Sequence, residues 1–202
     1  MRSRSTPGAT PFVASENGRK VLRVGGVIQS VEVNDLYEPD VWDAMVPDER
    51  PDRALILGLG GGTLATLLAR RWESVEIVAV EFDQNVAGMA LDDFGLRAMP
   101  NVRVVIDDAF TYVRTCDIKF DVVNVDLYVS GKMAHGILAA SFLTDIARLL
   151  APSGTASFNL WQSAYLDDQI RRIARNLNVR VSTVVDQNVV VWCSAKQQDG
   201  AI

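Results

Sequence analysis

The chain has 202 residues, 49% of them hydrophobic and 22% charged, with a net charge of −5. Such a chain can bury a sizeable core in one globular unit, which excludes wholesale disorder. The acidic balance repels phosphate backbones and so speaks against a nucleic-acid partner, while it suits a cationic ligand.

Residues 1–19 begin rich in Ser, Thr, Pro and Gly and read as a flexible start. Lys20–Val24 alternates, Gly25-Gly26 turns, and Val27–Val33 continues extended, which is the pattern of a β-hairpin. With the loop that enters a short helix over Asp35–Met45, and the polar stretch after it, the hairpin forms a small unit over residues 20–50. Residues 51–202 then keep a strand–helix rhythm. Ala54–Leu57 is a short apolar strand, and Thr63–Arg71 has helical spacing. Strand Glu76–Glu81 precedes helix Asn85–Phe94, and strand Val102–Ile106 precedes helix Ala109–Arg114. Strand Phe120–Val125, helix Ser141–Leu150 and strand Thr155–Asn159 follow, with Pro152-Ser153-Gly154 as the break before the last of these. Helix Asp167–Asn176 leads to a closing hairpin, Val179–Val185 and Val189–Ala195, around Asp186-Gln187-Asn188.

Strands separated by helices imply parallel crossovers and a sheet covered on both faces. The expected fold is therefore α/β, a Rossmann-like seven-stranded sheet of methyltransferase type with helices on both faces, preceded by the small N-terminal hairpin. No apolar run reaches the length of a membrane span, and no apolar stretch follows the basic start, so a cytoplasmic protein is expected. Cys116 and Cys193 are far apart and form no ligand spacing with the single histidine, so no metal site is expected.

The strongest local signal is Leu57-Gly58-Leu59-Gly60-Gly61-Gly62-Thr63, which leaves a strand and enters a helix. Glycines there allow a sharp turn and close approach of a ligand to the helix N-terminus. Gly58, Gly60 and Gly62 fit a GxGxG loop better than the dinucleotide fingerprint, which would want glycine at position 63. Glu81 ends the next strand, about 20 residues on, where a carboxylate can accept from both hydroxyls of a ribose. Asp108 follows the third strand and is placed either to accept from an adenine amino group or to cap the next helix. Asp126 closes the fourth strand, a central one, where a carboxylate can serve as a base. His135, close after Asp126, reads either as a residue that gates or binds substrate or as a solvated loop histidine, and Arg171, Arg172 and Arg175 form one solvated helix face. Trp161 and Tyr165 are placed to wall a pocket or to pack at an edge, and Trp192 to fill core or interface.

Taken together, these segments resemble the spermidine synthase family over about Val21–Asn159. The stretch Leu22-Arg23-Val24-Gly25-Gly26-Val27-Ile28-Gln29-Ser30 is similar to that family's hairpin, and Val78–Asp83, Asp108-Ala109-Phe110 and Ser141-Phe142-Leu143 are similar to its later segments. The resemblance implies a decarboxylated S-adenosylmethionine cofactor, whose aminopropyl group passes to an amine with methylthioadenosine as product. It places Gln29, the glycine loop (Gly58, Gly60, Gly61, Gly62), Glu81, Asp108 and Ala109 on the cofactor. It makes Asp126 the base, with Tyr128 and Val129 beside the acceptor and Trp42 or Tyr37 standing for a tyrosine that follows the family's hairpin.

Two positions depart from that family. Its loop carries an acid where this chain has Gly61, and a second acid where this chain has Val129. Three readings follow: an aminopropyltransferase with a changed acceptor site, a methyltransferase using S-adenosylmethionine (product S-adenosylhomocysteine), or a non-catalytic nucleoside-binding or assembly protein. The expected partners are a small-molecule acceptor, an amine on the first reading, and a second copy of the chain in a homodimer formed through the hairpin and the last strands.

Overall fold

The computed structural model describes residues 10–129 and 131–196. The chain opens with three strands, β1 (Phe12–Glu16), β2 (Arg19–Val24) and β3 (Val27–Val31), in an antiparallel sheet of that order. Each turn uses two residues of positive φ, Asn17 and Gly18 (51° and 76°), then Gly25 and Gly26 (60° and 81°). That conformation matches the right-handed twist of the flanking strands. The flexible start expected over residues 1–19 is thus corrected from residue 12 onward, because Phe12–Glu16 pairs residue for residue with Arg19–Arg23. Residues 1–9 lie outside the described residues.

After a 3-10 turn at Asp43–Met45 the main sheet begins. Its elements are β4 (Arg53–Leu57), α1 (Thr63–Arg71), β5 (Glu76–Glu81), α2 (Gln84–Asp92), β6 (Val102–Ile106), α3 (Ala109–Thr115) and β7 (Phe120–Val125). A two-stranded excursion follows, β8 (Tyr128–Val129) with β9 (Lys132–Met133). The chain closes with α4 (Ala140–Leu149), β10 (Leu150–Trp161), α5 (Leu166–Asn176), β11 (Leu177–Val185) and β12 (Asn188–Ala195).

The seven strands lie in the order β11-β12-β10-β7-β4-β5-β6. Strands β10, β7, β4, β5 and β6 are mutually parallel, and β12 runs antiparallel between β10 and β11. The expected seven-stranded sheet and terminal antiparallel hairpin are both present. One boundary differs: Pro152-Ser153-Gly154 lies within β10 as an irregularity of register between Leu150 and Thr155, so the break falls inside a strand rather than ahead of it. The β8–β9 excursion has no counterpart in the sequence reading.

The core has two layers, one on each face. On one side α3, α4 and α5 pack Val113, Phe142, Ile146 and Ile173 against Leu57, Val125 and Phe158. On the other, α1, α2 and the 3-10 turn pack Leu64, Leu68, Ala90 and Met45 against Ile56, Ile77 and Val122. This is why Ala54–Leu57 is apolar without alternation: the central strand β4 is buried on both faces. Helix α4 alone buries Phe142, Leu143, Ile146 and Leu149, each contributing roughly 1.5–3 kcal/mol of apolar burial.

Cys116, at the end of α3, and Cys193, in β12, are both buried and free. Among the described residues no helix is long and apolar enough to cross a membrane. Strand β3 is tied to the main sheet by Gly61 N–H donating to Ser30 Oγ (2.7 Å) and Val31 N–H donating to Thr63 Oγ1 (3.0 Å). The hairpin sheet therefore roofs the glycine loop.

Candidate active site

Strand order reverses between β4 and β7, and a crevice opens at the carboxyl ends of parallel strands where that happens. Gly58 leaves β4 beside Asp126, which leaves β7. Asp126 N–H donates to Leu57 O at 2.9 Å, and Gly58 N–H donates to Val80 O at 3.0 Å. A Cβ at Gly58 would sit 2.1 Å from the Asp126 carbonyl oxygen, and its φ is +93°, so only glycine fits this junction. Over it lies a cavity of about 710 Å³, within the usual range for small-molecule sites.

Most of the residues singled out from sequence face this cavity. Gln29, Gly58, Gly60, Glu81, Asp108 and Ala109 line it, and so do Trp42, Asp126, Tyr128 and Val129. Gly61 and Gly62 do not. A side chain at Gly61 would start 2.9 Å from Ser30 Cβ and 3.1 Å from the Phe94 ring, and one at Gly62 would meet Leu96. These two glycines shape the turn from behind, and the hairpin has closed over Gly61, the position where the resembled family carries an acid. Of the two aromatic stand-ins, Trp42 reaches the cavity, while the Tyr37 hydroxyl is engaged by Asp43. His135 is exposed, as are Arg171, Arg172, Arg175 and Tyr165. Trp192 packs partly buried, its indole N–H donating to Ala44 O at 2.9 Å.

Glu81 is only 6% exposed. Its carboxylate accepts from Gly60 N–H (3.2 Å) and Asp83 N–H (3.1 Å), so it braces the glycine loop. Burial pushes its carboxyl above the ordinary range, and the backbone N–H groups of Asp83, Gly60 and Phe82 pull it partly back. A carboxyl raised in the folded state makes the native protein bind protons more tightly than the unfolded chain. Its contribution to stability is then full below the ordinary carboxylate pKa and is lost as pH rises through the raised value. The ligand-free protein is expected to lose thermal stability across that window, and Glu81→Gln to flatten the loss; scans of Tm against pH for the two proteins check it.

Asp108 caps α3, its Oδ1 accepting from Thr111 N–H at 2.9 Å, while still lining the cavity. The two expectations for this residue, cap and ligand wall, are compatible in position.

Asp126 is held from both sides. Trp42 Nε1–H donates to Oδ2 at 3.0 Å, and Asn159 Nδ2–H donates to Oδ1 at 2.9 Å. Burial raises its carboxyl, and these two donors lower it. Tyr128 O–H donates to the Asn159 carbonyl at 3.2 Å, and its ring meets Trp161 edge-on at 6.3 Å between centroids. Trp161 Nε1 lies buried on this wall with no hydrogen-bond partner among the described residues.

Sequence reasoning missed several wall residues. Asn159 and Asn188 were read only as strand and turn residues. The available signal was polar alternation, Thr155, Ser157 and Asn159, against the apolar Ala156, Phe158 and Leu160 of the other face. Phe82 follows Glu81 directly and is half exposed, an aromatic on the lip of the cavity. Glu38, Asp40 and Asp186 add carboxylates from loops that the sequence does not connect. Among the described residues no group of three or more His, Cys, Asp or Glu side chains is arranged to hold a metal ion.

The architecture and the site can be set against known proteins. The model of the spermine/spermidine synthase domain matches residues 8–193. The chain belongs to the spermine/spermidine synthase family. Within and around that family, it is 29% identical over 122 residues to the polyamine aminopropyltransferase of Vibrio vulnificus, covering 59% of this chain and 41% of the relative. It is 31% identical over 157 residues to the eEF1A lysine and N-terminal methyltransferase homolog of Drosophila melanogaster, covering 69% of this chain and 23% of that protein. The chain thus spans less than half the length of either curated relative. In three dimensions it is similar to a probable spermidine synthase from Corynebacterium glutamicum, with TM-score 0.76 and 19% identity over 94% of this chain and 81% of that one. At that identity the likeness establishes the shared fold.

Proposed function

We propose that the chain is a transferase that binds an adenosine sulfonium of the S-adenosylmethionine type and alkylates an amine. The observation that carries this reading is the placement of Glu81 and Asp126 on one cavity at the topological switch point, the first bracing the glycine loop and the second held by two donors. A nucleoside suits the residues present. Gly58 and Gly60 offer backbone without side chains, Glu81 offers acceptors for a vicinal diol, and Phe82 offers a face for stacking a base. On this reading Asp108 and Ala109 meet the adenine end, and Gln29 from the roof meets the cofactor as well.

Bound there, the sulfonium supplies an electrophilic carbon. Asp126 takes the proton that the acceptor amine must lose, since only a neutral amine has the lone pair to attack. Because its two hydrogen-bond partners, Trp42 and Asn159, are both donors, Asp126 presents a fixed carboxylate with lone pairs to spare. Trp42, Tyr128 and Trp161 wall the acceptor side, and Glu38, Asp40 and Asp186 give it a negative field that draws in a cation. These loop acids stand in for the one missing at Val129. A homodimer is part of the reading; exposed Val181 and Val184 on the outer strand β11 offer apolar contact for it.

The group transferred is aminopropyl on the first reading, which family membership and the polyamine aminopropyltransferase relatives support. Methyl transfer is the second reading. It is favoured by Gly61, which brings no acid to pair with an aminopropyl ammonium, and by the methyltransferase relative. Incubation with either cofactor and a panel of diamines and lysine peptides, read by mass spectrometry, separates them. Methylthioadenosine formed from the decarboxylated cofactor supports the first, and S-adenosylhomocysteine from S-adenosylmethionine the second. Neither product, with the nucleoside bound, would leave a non-catalytic binding protein.

A further inference from the structure

We propose that Asn188 is a positioning residue for Asp126, acting through the side-chain amide of Asn159. Strands β7, β10 and β12 are neighbours in the sheet, with Asn124 opposite Ser157 and Asn188 opposite Trp161. Side chains alternate between faces along a strand, so Asp126, Asn159 and Asn188 all project from the face that carries Asn124 and Ser157. The polar row that results is continuous. Asn188 Nδ2–H donates to Asn159 Oδ1 at 2.8 Å, and Asn159 Nδ2–H donates to Asp126 Oδ1 at 2.9 Å.

This order has a direction. An amide has one acceptor end and one donor end. Ionised Asp126 only accepts and so takes the donor end of Asn159, and the Asn188 donor at the acceptor end reinforces that order. Turning the Asn159 amide over would set its oxygen against a carboxylate oxygen and its NH₂ against that of Asn188, two repulsive contacts in a site where Asn159 is 4% exposed. The backbone of Asn188 is well fixed. It opens β12, pairs with Trp161 on one side and Val185 on the other, and its turn is pinned by Gln162 N–H donating to Gln187 O at 2.7 Å.

The charge environment makes this arm consequential. The titratable groups around Asp126 are Asp40, ahead of the 3-10 turn, and Tyr128 from β8, with Glu38 and Asp186 on the same wall. None is cationic, and Arg19 is the one basic residue lining the cavity among the described residues. The ionised carboxylate is therefore held by neutral donors, Trp42 and Asn159, and half of that support depends on how the Asn159 amide is turned. A base held this way keeps its lone pairs aimed and its proton affinity set.

The test reads Asp126 directly, by carbon-detected NMR titration of aspartate carboxyls, with the Asp126 signal assigned as the one missing in Asp126→Asn. Asn188→Leu removes the donor and adds no charge. We expect the Asp126 midpoint to rise by about 0.3–0.5 pH unit, a fraction of one net hydrogen bond, because Asn159 keeps its bond to Asp126 and loses the donor that orients it. Asn159→Leu should raise it at least as far. Gln187→Ala, in the same turn but with its side chain outside the row, should leave it at the wild-type value, which separates positioning from general loosening of the hairpin. Asn188→Ala gives the same comparison should the leucine variant fail to fold. A midpoint in the folded Asn188 variant within about 0.2 unit of wild type would overturn the proposal. The consequence for turnover rests on the reading of Asp126 as the base, but the titration needs neither cofactor nor acceptor. An absence of transferred product would count against the proposed function and leave this inference standing.

Discussion

Asp126→Asn should lower turnover by about 10²–10⁴-fold, the usual contribution of a positioned general base, and leave nucleoside affinity nearly unchanged. The substitution keeps the shape of the side chain and removes its ability to take a proton. It also conflicts with its surroundings in a specific way. Trp42 and Asn159 both present donors, so an asparagine can satisfy one with its oxygen and must oppose the other with its NH₂. Asp126→Ala would be harsher, leaving both donors unpaired at a buried wall. Single-turnover product formation beside a nucleoside titration distinguishes the effects. Full turnover in the asparagine variant would remove Asp126 from the chemistry.

Glu81→Ala should weaken nucleoside binding by at least about 10²-fold, because two hydrogen bonds to a charged acceptor are lost at once. Part of the effect is indirect. The Glu81 carboxylate also collects Gly60 N–H and Asp83 N–H, and both become unpaired in the variant. The glycine loop then loses its brace as well as the ligand its acceptor. Glu81→Gln should fall between, since its single side-chain oxygen can serve one of those two N–H groups. Calorimetric titration of the three proteins gives the order, and equal affinities would exclude Glu81 from the ligand.

Much of this was legible in the sequence because the informative residues end apolar strands. Glu81 and Asp126 stop strands rich in valine, and a parallel sheet puts every such stop on one edge, so their convergence follows from the strand rhythm alone. The seven strands were readable for the same reason. What was not readable depends on contacts between distant segments. Strand β1 lay in a stretch whose composition suggested flexibility, and the Asn17-Gly18 turn within it was the overlooked sign of a hairpin. That Gly61 and Gly62 face away from the cavity is decided by Ser30, Phe94 and Leu96, which pack on the loop from other elements. Trp42 rather than Tyr37 meets Asp126 because the 3-10 turn seats Met45 against the sheet, with Asn124 Nδ2–H donating to Met45 O at 2.8 Å. Asn159 and Asn188 gain their meaning only once β10 and β12 are neighbours.

The acids of the cavity extend this point. By resemblance two acids are missing, at Gly61 and Val129, which leaves an amine without charge partners. The folded chain gathers Glu38, Asp40 and Asp186 around the same space from a loop ahead of the sheet and from its last hairpin. On the proposed function these positions supply the negative field for a cationic acceptor, and no linear motif records them.

The proposed function requires a nucleoside held by Glu81 over the glycine loop. Titrating the protein calorimetrically with methylthioadenosine tests this most directly, since that molecule carries the adenosine and the sulfur without committing to either transferred group. Saturable one-site binding that is weakened in Glu81→Ala is the predicted result; absence of binding by methylthioadenosine, and likewise by S-adenosylmethionine and its decarboxylated form, would contradict it.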